Sequence, residues 1–200
     1  MKPFAQSCEN NKDVILEVLG TEFASALRVL ELGSGTGQHA VHFAKSLPQL
    51  LWLTSDFEEH HAGINAWLSE AGLANVCAPV SLDVNEEDWR VGPVDAVYSA
   101  NTMHIMSWES IKNMFDGIGR VLQLTGLLAL YGPFNYDGDY TSASNADFDR
   151  FLRSRDPLGG IRNFEDMDAL ANRQGLRLLT DHAMPANNRL VVWRRDTQAG

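Results

Sequence analysis

Short apolar runs alternate with amphipathic stretches along most of this chain. Runs at 28–32, 50–55, 76–82, 94–99 and 127–131 have the length and continuity of strands buried on both faces. Between them, 38–46, 58–71 and 107–122 repeat apolar positions at helical spacing, with a weaker helical turn at 86–89 and a leading helix at 12–19. Strands alternating with helices predict α/β architecture, a Rossmann-like doubly wound parallel sheet. Gly72 is placed to end one helix and Gly126 to open the strand after another.

From 132 to 162 the pattern lapses into Gly, Asn, Asp, Ser and Tyr, with one helical stretch at 146–154. So long an insert in a compact domain suits a lid or binding loop, and the chain reads as a single domain, 1–200, carrying a substrate lid at 132–162. Asn163, with Asp166 three residues on, resembles a capping box opening a further helix. The runs at 176–180 and 190–193 are joined by a segment too short for a crossover helix, so they are expected to pair antiparallel.

The first strand ends in Glu31-Leu32 and enters Gly33-Ser34-Gly35-Thr36-Gly37-Gln38, after which apolar positions resume at helical spacing. A strand, a turn free of Cβ obstruction and a helix N-terminus together suit a nucleotide-like ligand. A dinucleotide turn would place its third glycine at 38, which here is Gln38. The spacing is G-x-G-x-G, with a carboxylate two residues upstream. That carboxylate would repel a pyrophosphate and attract a cation. S-adenosylmethionine (SAM), with its sulfonium, its α-ammonium group and no phosphates, fits this turn better than NAD.

Composition narrows the partners. Sixteen Lys and Arg stand against 26 Asp and Glu, a formal net charge of −10, which disfavours nucleic acid. No apolar run approaches a membrane span, and no leader pattern opens the chain. The two cysteines, Cys8 and Cys77, read as reduced thiols of a cytoplasmic protein. Oligomeric state is open.

Five strands with crossover helices, closed by an antiparallel hairpin, resemble the class I SAM-dependent methyltransferases over nearly the whole chain. That resemblance implies a seven-stranded sheet in the order 3-2-1-4-5-7-6 with strand 7 antiparallel. More narrowly, Asn11-Lys12, the 33–39 turn, Met103-His104-Ile105, Thr141-Ser142, Asp156-Pro157, Gly160-Ile161-Arg162 and the segment 184–188 resemble the methyltransferase-like protein twenty-six subgroup. Asn10 departs from it, standing where that subgroup has arginine.

In doubly wound sheets ligands sit beyond the C-terminal strand ends, at the switch point beside the first strand. The cofactor candidates follow from that rule. Gly33, Ser34, Gly35 and Gly37 give backbone approach, or simply a tight turn. Glu31 faces an ammonium group, or caps the turn's amides. Asp56 is placed for both ribose hydroxyls, a geometry that SAM and NAD share, with Phe57 against the adenine or in the core. Asp83 and Val84 are placed for the adenine edge, although Asp83 is also a favoured N-cap. Ser99 and Ala100 would line the sulfonium side. By resemblance, Asn11 and Lys12 fold over the cofactor; solvated side chains at a helix start are the other reading.

Methyl transfer asks mainly for alignment, exclusion of water and sometimes a base. His104 and Asn101 are the catalytic candidates, His104 as a proton acceptor or else as a packed strand-end histidine. The stretch 99–104 has no aspartate, so no metal site is expected, and it is not the Asn/Asp-Pro-Pro-aromatic motif of amino-methylating DNA enzymes. His39 and His42, and the pair His60 and His61, read as surface or supporting residues. Tyr131, Phe134, Tyr136 and Tyr140 could clamp a small methyl acceptor, and Asn187 could return to the same mouth or serve a turn. Two other functions are compatible with these residues: a SAM-binding sensor or scaffold, and a nicotinamide-dependent oxidoreductase.

Overall fold

The structure, a computed structural model, describes residues 2–197. Strands β1 (Arg28–Leu32), β2 (Leu51–Asp56), β3 (Val76–Ser81), β4 (Val94–Ala100), β5 (Leu122–Gly132), β8 (Leu176–Met184) and β9 (Asn188–Arg195) form one sheet in the order β3-β2-β1-β4-β5-β9-β8. Counted as seven, that is 3-2-1-4-5-7-6. The pairs from β3 to β5 are parallel, and β9 runs antiparallel to both of its neighbours. The direction of winding reverses between β1 and β4, so their C-terminal ends frame the switch point.

Alternation along β1 explains the layers. Leu30 and Leu32 face a core shared with helices α4 (Trp108–Val121) and α6 (Phe164–Arg173). Val29 faces a second core with α1 (Gln6–Glu22) and α2 (Gln38–Ser46), and Glu31 lies on that same face by the two-residue period. Helix α3 (His61–Ala71) packs beside α2 and over β3. The second core is unusually aromatic: Phe43 stands 5.4 Å from Trp52 and 5.6 Å from Tyr98, ring centre to ring centre.

Several expectations shift. The leading helix starts at Gln6, six residues early, because Gln38 reaches back to it: Gln38 Oε1 accepts the Ala5 amide (2.6 Å) and Gln38 Nε2 donates to Glu9 (2.7 Å). The residue that breaks the dinucleotide spacing therefore anchors α1. Segment 86–89 forms no helix, and Trp89 is buried against Gly117 of α4. Asn163 makes no cap bond on α6; its side chain donates to Asp166 instead.

The 132–162 segment is stitched down. Two-residue strands β6 (Phe134–Asn135) and β7 (Arg162–Asn163) pair in parallel and bracket α5 (Ala143–Arg155), which Ser142 caps by accepting the Asn145 amide. The Arg162 guanidinium donates to the carbonyls of Met103, Met106 and Leu158, and the Gly160 amide donates to the His104 carbonyl (2.8 Å). Among the described residues, no helix is long and apolar enough to cross a membrane.

Phe43 is fully buried among the aromatic rings that carry α2 onto the sheet. Phe43→Ala is expected to lower the unfolding free energy by roughly 3–5 kcal/mol in urea denaturation, the usual cost of an emptied aromatic site.

Candidate functional site

Three cavities open at the C-terminal edge of the parallel strands. The first, about 500 Å³, lies beyond β1, β2 and the segment after β3, and includes Gly33, Gly35, Asp56, Phe57, Asp83, Val84, Ser99 and Ala100 in its wall. Asp56 is held in place there. Its Oδ2 accepts the Gly35 amide (2.7 Å) and its Oδ1 the Phe57 amide (2.8 Å), so the carboxylate fixes the glycine turn as well as facing the cavity. The role of capping the turn, one of the readings considered for Glu31, falls to Asp56. Asp83 uses Oδ1 to accept both nitrogens of Asn85, which shapes the loop after β3. Ser99 Oγ donates to the Leu32 carbonyl (2.7 Å) and pairs with Thr102 Oγ1, tying the ends of β1 and β4 together.

The second cavity, about 520 Å³, continues past the same turn toward α1 and includes Glu31, Ser34 and His39. Glu31 is 2% exposed and accepts from Ser34 Oγ (2.9 Å) and Trp52 Nε1 (3.0 Å). Burial pushes its carboxyl up to about 7 against those two donors, and nearby Asp56 adds to the rise. His39 is buried too, which removes the surface alternative and leaves the supporting one. It bonds Asn11 Oδ1 through Nε2 (2.7 Å), and burial lowers it to about 4.

The third cavity, about 540 Å³, lies between α1, β5, α5 and the β8–β9 connection. Asn11, Asn101, His104 and Tyr131 meet in its wall. Asn101, held at φ 60°, a conformation asparagine tolerates, borders all three cavities. A Cβ at Gly132 would lie 3.8 Å from both Asn101 Oδ1 and His104 Nδ1, an ordinary contact distance, so the two side chains converge beside the end of β5. His104 is 7% exposed with the Phe148 ring edge-on at 5.3 Å. Burial, aided by Arg162, lowers it to about 4, so the imidazole is neutral at neutral pH.

Other candidates lie elsewhere. Lys12 pairs with Glu9 along α1 and borders none of the three cavities. Gly37 faces away: its missing Cβ admits the Ile64 backbone at 3.1 Å, a helix-packing role. Phe134 is core. The Tyr136 hydroxyl donates to Asp181, with its ring stacked on Phe164, and the Tyr140 hydroxyl donates to Asp149. Asn187 supports the wall only indirectly, its carbonyl accepting from Asn145. In their place stand residues the sequence did not single out: Ser7 and Cys8 on α1, Asn145 and Phe148 on α5, and Thr102 after β4. The one available signal was in α5, where Asn145, Phe148 and Leu152 recur at helical spacing. Among the described residues, no three His, Cys, Asp or Glu side chains converge as a metal would require.

The fold matches that of solved methyltransferase structures. The chain is similar to an O-methyltransferase family protein from Burkholderia thailandensis (TM-score 0.84, 18% identity, 96% of this chain and 57% of that one). It is also similar to the S-adenosylmethionine-dependent methyltransferase SibL (0.80, 21%, 94% and 55%) and to human N-acetylserotonin methyltransferase in complex with SAM (0.77, 14%, 94% and 52%). The chain spans little more than half the length of these structures. By sequence the chain belongs to the family described as "Protein of unknown function (DUF938)", which it matches over residues 2–195.

The glycines separate by experiment. Gly35 has φ 57° and open space at its Cβ position, whereas Gly37 has φ 87° and a backbone against it. Gly37→Ala is expected to cost roughly 1–3 kcal/mol of stability and Gly35→Ala only about 1 kcal/mol. Urea denaturation of the two variants measures both, and a larger loss at Gly35 would contradict these assignments.

Proposed function

We propose that this chain is a SAM-dependent methyltransferase that methylates O, N or S of a small molecule, consistent with the narrower resemblance to the methyltransferase-like protein twenty-six subgroup. One observation carries the reading. A fully buried carboxylate, Glu31, borders a cavity while no Lys or Arg pairs with it among the described residues. A buried charge without a partner is costly, and a cationic ligand removes that cost. The residues present fit SAM on this ground, and also because Gly35 leaves open space at the turn.

Glu31 would hold the α-ammonium end, Asp56 the ribose hydroxyls, and Asp83 with the Val84 backbone the adenine edge. When bound, SAM supplies a methyl group on a positively charged sulfur, an activated leaving group. The chain's own contribution is alignment. Asn101, between the cavities, orients the acceptor atom, and α5 covers the mouth as a lid that excludes water. Neutral His104 holds or takes the acceptor's proton at a ring nitrogen. A hydroxyl that has just been alkylated is a strong acid, so a weakly basic imidazole is base enough at that point. The net charge of −10 supports a small-molecule partner over nucleic acid, and the free thiols of Cys8 and Cys77 agree with a cytoplasmic setting.

Calorimetry with S-adenosylhomocysteine tests the reading. Glu31 ionises as pH rises through about 7, and only the ionised form attracts the ligand's ammonium group. Affinity is therefore expected to rise roughly tenfold, about 1.4 kcal/mol, from pH 6 to pH 8. Glu31→Gln should bind weakly with no such rise. Absence of binding to the intact protein at millimolar ligand overturns the proposal.

A further inference from the structure

The third cavity carries a statement about the acceptor that the fold alone does not. Its wall holds no Asp, Glu, Lys or Arg, although such residues make up 21% of the chain. The charged groups nearby are engaged elsewhere. The Arg162 guanidinium is taken up by three backbone carbonyls. Asp149 accepts from Arg153, Tyr140 and the Ile161 amide. A charged acceptor would enter this cavity without a counter-ion, which is strongly unfavourable.

The amides in the wall are also oriented. Asn145 Nδ2 donates to the Asn187 carbonyl (3.2 Å) and to Thr141 Oγ1 (2.8 Å), and Asn188 Nδ2 donates to the Pro185 carbonyl (3.2 Å). A backbone carbonyl only accepts, so the nitrogen of each amide must face it. That leaves Oδ1 of Asn145 without a protein donor among the described residues, while the Asn188 amide also meets the Tyr131 hydroxyl; both asparagines border the cavity. Phe148 and Pro133 add apolar surface to the same wall.

Resting on the methyltransferase reading, we infer that the acceptor is an uncharged ring compound whose hydroxyl or N–H groups donate to Asn145 and Asn188, with its apolar face against Phe148. Acids, phosphate esters and ammonium compounds are excluded by the same wall.

Three probes of matched shape test this: 4-hydroxybenzamide (uncharged), 4-hydroxybenzoate (anionic) and tyramine (cationic). Each is added to protein saturated with S-adenosylhomocysteine, and binding is read by saturation-transfer NMR, which needs no turnover. The uncharged probe is expected to bind at least fivefold more tightly than either charged one. Asn188→Leu and Asn145→Leu should each weaken it about tenfold while leaving S-adenosylhomocysteine affinity within twofold. Asn188 is the more exposed of the two and tests the idea even where Asn145→Leu disturbs the lid. Equal or tighter binding of a charged probe overturns the inference, as does a lack of binding by all three to the loaded protein. Failure of S-adenosylhomocysteine itself to bind overturns the underlying methyltransferase reading instead.

Discussion

The carboxylate of Glu31 sets the terms for the surrounding structure. It projects from β1 onto the α1–α2 face, where its neighbours are the aromatic rings of the second core. Two hydrogen bonds, from Ser34 and Trp52, hold it in place but do not neutralise it. Packing that holds α2 on the sheet thus also keeps water from an acid that would otherwise ionise freely. The aromatic core and the ligand cavity are two sides of one arrangement. Loosening the rings would hydrate Glu31 and weaken its pull on a cation.

Beyond that acid, the site is a junction. The strand ends of β1 and β4 are tied by Ser99, the glycine turn is fixed to β2 by Asp56, and the backbone at Asn101 is forced into a left-handed turn between them. Asn101 consequently borders each of the three cavities, and Ser7 of α1 borders the second and the third. Gly132, at the end of β5, lies beside both the Asn101 and the His104 side chains. These positions are set by backbone geometry at the strand ends, where doubly wound sheets carry their ligand crevice.

The two cavities beside the glycine turn were legible in the sequence because their signals are local. A strand period, a glycine spacing and acids at strand ends each sit within a few residues of the position they mark, and they placed Glu31, Gly35, Asp56 and Asp83 at the two cavities beside the turn. The third cavity was not legible, because it is assembled from segments far apart in the chain. Asn145 and Phe148 reach the cavity only because β6 pairs with β7 and Arg162 grips the loop after β4. Aromatic residues in a polar loop looked like substrate clamps, yet the hydroxyls of Tyr136 and Tyr140 found carboxylates that lie 45 and 9 residues away in sequence. Gly37 is the converse case: a residue in the right motif that serves helix packing, since sequence spacing cannot reveal the approach of Ile64.

The distribution of charge joins these cavities. Beside the glycine turn an acid is buried without a counter-ion among the described residues; at the third cavity Arg162 and Asp149 are bonded elsewhere, and the wall offers amide oxygens and a neutral imidazole. An uncharged nucleophile becomes positive as it takes a methyl group. The surroundings that favour this change are hydrogen-bond acceptors and carbonyl dipoles, not cations. Arg162 lies near enough to lower His104, and were its guanidinium free to turn into the cavity it would oppose that positive charge. The three carbonyls of Met103, Met106 and Leu158 prevent this while tying β7 to the segment after β4. Fixing the 132–162 segment and keeping a cation out of the third cavity are therefore accomplished by the same set of hydrogen bonds.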